Sequence, residues 1–127
     1  MNKAPWLSRL LATCGVLEAL VGVGLLIVPA MIVSLLTGAQ LNDAGLFVAR
    51  LAGGALLALG MACWFARATP SAAANRGVGG ALLIYNVIAC VLLALARVAP
   101  ETPALQLAAA ALHGLLAAGL LVALMAT

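Results

Sequence analysis

The sequence predicts an all-α membrane protein, a bundle of four transmembrane helices with both termini in the cytoplasm. Three observations carry this reading. Charged residues are 7% of the 127 and hydrophobic ones 67%, with a mean hydropathy of +1.28. A soluble domain carries roughly 25% charged residues, so this chain has too little charge to stay in water. The apolar residues also gather into four continuous stretches, each close to the ~20 residues that a helix needs to cross hydrocarbon. Those stretches are rich in Leu and Ala, without the alternation of a barrel strand. Finally, the flanking cations are distributed unevenly between the two sides.

Span one runs from about Leu7 to Val28, with Lys3, Trp6 and Arg9 at its start, where snorkelling cations and an interfacial aromatic belong. It is too long for the apolar region of a signal peptide and is expected to be retained. Pro29 ends or kinks it. The stretch Ala30 to Gly38 is too short to cross again, and either lies along the interface or extends span one as a tilted helix beyond a kink. Asn42-Asp43 is placed to cap span two, about Ala44 to Ala66, which closes on Trp64, Phe65 and Arg67. Ala68 to Asn75 reads as a loop or interfacial turn. Span three is about Gly77 to Ala96, between Arg76 and Arg97. A tight turn at Pro100-Glu101-Thr102-Pro103 leads into span four, about Ala104 to Met125.

In this arrangement Lys3, Arg9, Arg67 and Arg76 lie on one side and Arg97 on the other. The positive-inside rule then puts both termini in the cytoplasm, and the bias argues against a dual topology. The six Lys and Arg form no basic run or stripe, so nucleic acid is not an expected partner. Cys14, Cys63 and Cys90 fall in three different spans with no CxxC spacing, and read as reduced packing residues. No metal-ligand cluster, catalytic triad or HExxH is present, so no cofactor, metal or enzymatic activity is expected. Gly77-Val78-Gly79-Gly80 opens span three and either packs closely or admits an anion.

Each span carries one strongly polar residue at overlapping depth: Glu18, Arg50, Asn86 and His113. A charge near mid-membrane costs several kcal/mol (of order 3) unless it is neutral, paired or hydrated. Helical spacing puts Cys14, Gly15, Glu18 and Gly22 on one side of span one, and Arg50, Gly53, Gly54 and Leu57 on one side of span two. Asn86 stacks with Leu82, Leu83 and Cys90, and His113 with Gln106, Ala109, Ala110 and Ala117. The four faces are expected to meet as a buried polar cluster, with Glu18 and Arg50 paired. The cluster serves either as helix-fixing polar contacts, with Asn86 and Tyr85 as interhelical hydrogen-bonding residues, or as a proton or ligand site built on Glu18, unless Glu18 faces a partner subunit.

Leu25-Leu26-Ile27-Val28-Pro29 closing the first span, with Ala49-Arg50-Leu51-Ala52-Gly53-Gly54 through Gly60 to Trp64 in the second, resembles the small four-helix bacterial membrane proteins of the DoxX-like kind. The likeness covers about half the chain. It implies an accessory or structural subunit of a larger complex in the bacterial inner membrane, partnered by the lipid bilayer and by other membrane subunits or further copies of itself. A second likeness, to small multidrug transporters, rests on four spans with an acidic residue in the first. It implies a proton-coupled carrier using Glu18, although aromatic-rich second and third spans are missing.

Overall fold

The computed structural model describes residues 5–68, 72–96 and 104–126. Lys3, Arg97, the connection at residues 69–71 and the expected Pro100–Pro103 turn lie outside these. Among the described residues five helices follow in order: α1 Pro5–Ile27, α2 Pro29–Thr37, α3 Asp43–Ala68, α4 Ala72–Leu95 and α5 Ala104–Met125. Among the described residues there is no strand. α1, α3, α4 and α5 are long and apolar enough to cross a membrane, making the chain a multi-pass helical bundle.

The Val28–Pro29 junction breaks the first span. Val28 leaves the helical region (φ −130°, ψ 55°), and Pro29 has no N–H to give the Leu25 carbonyl. Flanking bonds persist, with Val28 N–H donating to Gly24 O at 2.8 Å and Ile32 N–H to Val28 O at 3.2 Å. Gly24 and Ile32 would be ~12 Å apart along a straight helix. Here a Cβ on Gly24 would come 3.2 Å from Ile32 Cδ1, so the chain bends sharply. Residues 29–37 therefore form a separate short helix, touching α3 and α5. Gly38 ends it at φ 72°, donating its N–H to Ser34 O at 2.8 Å. Asn42 caps α3, its Oδ1 accepting from Gly45 N–H at 2.8 Å.

α4 begins earlier than the expected Gly77, because Ala72-Ala73-Ala74 favours helix. Gly77 to Gly80 thus lie within the helix, where amides bond to carbonyls one turn back, and cannot form a terminal anion cradle. Gly79 packs against Leu124 and Leu7, whereas Gly77 and Gly80 face open space.

The four long helices form a rhombus. α1 packs on α3, α4 on α5, and contacts between α1 and α5 and between α3 and α4 close the ring. α1 and α4 also touch across the short diagonal, while α3 and α5 stay apart. The α1–α3 seam is the tightest. A Cβ on Gly22 would lie 2.7 Å from both Gly53 O and Leu57 N, and one on Gly60 would lie 2.7 Å from Gly15 O. The glycines recur seven apart on both helices, the spacing of a left-handed crossing.

Leu7, Leu11, Cys14, Leu82, Leu116 and Leu120 form the core beside this seam. Phe47, Leu51, Ile84, Leu95 and Leu115 point outward, a surface that lipid tails solvate. All three cysteines are free. At the end where α1 starts and α3 finishes, Ser8 Oγ donates to Arg67 O at 3.4 Å. The Arg67 guanidinium there covers the Trp64 ring at 3.5 Å.

Candidate functional site

Glu18 lies on the α1 face that also buries Leu7, Leu11 and Cys14, and is 3% exposed. Its partner comes from across the short diagonal, where the Tyr85 phenol donates a hydrogen bond to the Glu18 carboxyl. The next residue of α4, Asn86, turns toward α5. Its amide Nδ2 donates to Leu82 O at 2.9 Å, one turn back on the same helix. That leaves Oδ1 as an acceptor, and it lies 2.8 Å from His113 Nδ1. Because Oδ1 accepts, the proton between them sits on Nδ1, and Nε2 takes no part in this bond. The Tyr85 and His113 rings meet edge to face, with centroids 5.6 Å apart at 84°.

Glu18, Asn86 and His113 thus meet within one polar network, joined by Tyr85, at the centre of the rhombus. Tyr85 was expected beside Asn86 as an interhelical hydrogen-bonding residue, but its pairing with Glu18 was not. Two adjacent residues on a helix point ~100° apart, so Tyr85 and Asn86 can serve two neighbours at once.

Arg50 does not belong to this network. It is exposed, on the outer side of α3. The inward face of α3 is Ala49, Gly53, Gly60, Cys63 and Ala66, so the expected face of Arg50, Gly53, Gly54 and Leu57 was out of phase. The glycine pairs also fix the axial register. Gly53 faces Gly22, so Arg50, three residues earlier on the antiparallel helix, is level with Leu25. That is seven residues beyond Glu18, or ~10 Å of rise. The expected Glu18–Arg50 ion pair is absent, and Glu18 pairs with Tyr85 instead.

One more polar side chain is fully inside. Gln106, 1% exposed, stands at the start of α5. Its Nε2 donates to Leu93 O at 2.7 Å and Ala96 O at 3.1 Å. These carbonyls lie at the end of α4, so Gln106 ties the start of α5 to the end of its neighbour. Among the described residues no cluster of three His, Cys, Asp or Glu could hold a metal ion. Compared with protein-family models, curated proteins and solved structures, the chain has no significant match.

The network links three helices but is not a continuous hydrogen-bonded chain. One bond joins α1 to α4 and another joins α4 to α5, with an aromatic edge contact between them. Each link aims at a second helix of the same bundle, so the arrangement can fix helix rotation and axial position. Glu18, Tyr85 and His113 are also groups that exchange protons, placed at one depth.

Proposed function

We propose that the protein is a non-enzymatic accessory or structural subunit of a larger membrane complex. It would be of the DoxX-like kind in the bacterial inner membrane, with both termini cytoplasmic. The observation that carries this reading is the inward direction of the polar network. Glu18, Tyr85, Asn86 and His113 bond to one another or to Leu82 O, while the outward faces offer large apolar side chains such as Phe47, Leu92 and Leu115. A bundle clasped internally and apolar outside is suited to packing on other membrane subunits or on further copies of itself. Its cation distribution supports the cytoplasmic termini.

The test is purification from native membranes in a mild detergent. A stoichiometric membrane partner, or a defined homo-oligomer, that survives Glu18→Gln is the expected result. A monodisperse monomer would overturn the proposal.

A second reading, a proton-coupled carrier for a small molecule, is favoured by the grouping of Glu18, Tyr85 and His113. It requires proton-driven uptake into liposomes that disappears in Glu18→Gln while the protein stays folded. Uptake unchanged by that substitution would remove it.

A further inference from the structure

The break at Val28–Pro29 leaves a groove of about 370 Å³ between the α1–α2 junction and α3. Ligand pockets begin near 300 Å³, so the space is enough for part of an amphiphile. Ile27, Val28, Pro29, Met31 and Leu46 line it, and Arg50 supplies its charge. Ile27 and Met31 are among the exposed apolar residues of the bundle.

Arg50 needs an anion. It is exposed, and among the described residues no hydrogen bond, ion pair or ring contact engages it. Glu18 is ~10 Å deeper along the axis, and Asp43 is two turns toward the helix start, also ~10 Å away. Neither is within ion-pair reach.

Depth supplies the missing partner. α3 has 26 residues, or ~39 Å of helix, against ~30 Å of hydrocarbon. Centred in the bilayer, it projects ~4–5 Å beyond each boundary, which leaves the Arg50 backbone ~6 Å inside the apolar layer. The arginine stem spans about that distance, so the guanidinium snorkels to the level where lipid phosphates sit.

We propose that this groove is a specific lipid site. The phosphate of one anionic phospholipid accepts hydrogen bonds from the Arg50 guanidinium, and an acyl chain of the same molecule lies along Ile27, Pro29, Met31 and Leu46. The planar guanidinium suits a phosphate oxygen pair, and the bend at Pro29 supplies the concavity that a straight helix would lack.

Native mass spectrometry tests this on the full chain, delipidated in a neutral detergent and titrated with dioleoylphosphatidylglycerol or dioleoylphosphatidylcholine. One phosphatidylglycerol is expected to be retained at least tenfold better than phosphatidylcholine. Arg50→Gln, which removes a side chain without partners among the described residues, abolishes that preference. Ala30→Phe, a bulky replacement at another residue lining the groove, lowers retention of both lipids. Equal retention of the two lipids by the natural chain overturns the site in favour of unspecific surrounding lipid. So does undiminished phosphatidylglycerol binding by Arg50→Gln. Displacement of the lipid by soluble glycerol phosphate overturns it as well, because the anion alone would then account for binding.

Discussion

Gly60→Ala is the substitution that most directly tests the α1–α3 seam. The new methyl would lie 2.7 Å from Gly15 O, 2.9 Å from Ala19 N and 3.1 Å from Ala19 Cβ. Two of these neighbours are backbone, so no rotamer change relieves the overlap. Ordinary contact starts near 3.4 Å, so the helices must part by about 0.7 Å at Gly15. A gap of 0.5–1 Å forfeits about a quarter to a half of each dispersion contact. For roughly 40 atom pairs at ~0.15 kcal/mol each, the loss is about 2 kcal/mol. Alanine returns at most ~1 kcal/mol of helix propensity, and overpacked sites lose about 1–3 kcal/mol in general. The net expectation is a destabilisation of about 1–2 kcal/mol. Reversible unfolding in mixed micelles, followed by helical circular dichroism, measures it. Gly54→Ala is the control, because a Cβ at Gly54 meets nothing within 4 Å. It should be neutral or up to about 1 kcal/mol more stable. If the two variants unfold alike, backbone contact does not hold this seam.

Three further outcomes are expected in the same assay. Tyr85→Phe removes the donor to buried Glu18 and costs about 1 kcal/mol, within the ~0.6–1.7 kcal/mol measured for interhelical hydrogen bonds in membranes. Its effect should shrink when Glu18→Leu is already present. Gln106→Leu leaves Leu93 O and Ala96 O without their side-chain donor. It should cost about 1–3 kcal/mol and speed amide exchange in the last turn of α4. Arg50→Leu and Glu18→Leu should be additive within about 0.5 kcal/mol, as separated sites are. A larger coupling energy would restore the ion pair that the register excludes.

Composition and stretch length made the four spans readable, because hydrocarbon tolerates few alternatives to a long apolar helix. Asn42 and Pro29 were readable for equally local reasons, a side-chain cap and a missing N–H. The site was only half readable. Glu18, Asn86 and His113 stood out as polar residues in apolar runs, and depth arithmetic brought them to one level. Arg50 stood out for the same reason, yet depth and charge do not fix rotation. Rotation of α3 is set by which glycine of Gly53-Gly54 touches α1, and a step of one residue turns the face by ~100°. The clue lay in spacing: Gly15 and Gly22 repeat at the interval of Gly53 and Gly60, whereas Gly54 has no such counterpart. Gln106 was grouped with His113 by helical period, but its bond to the end of α4 crosses between helices, which the period of one helix does not show.

The seam and the polar network divide the work of specifying this bundle. Close glycine contacts fix how α1 and α3 cross, but they hold only one edge of the rhombus. Its other edges are mostly apolar side chains facing one another, and in lipid such contacts gain little over contact with acyl chains. Sliding or rotating α4 and α5 against α1 would therefore cost little on packing alone. The Glu18–Tyr85 bond sets α4 against α1, and Asn86–His113 sets α5 against α4. Gln106 then fixes the α4–α5 register where α4 ends and α5 begins. If this division holds, Tyr85→Phe should loosen α4 and α5 while the α1–α3 contact stays intact. Cysteine cross-linking can test this with one pair across each edge. Equal loosening of both edges would mean that the network and the seam form a single cooperative unit.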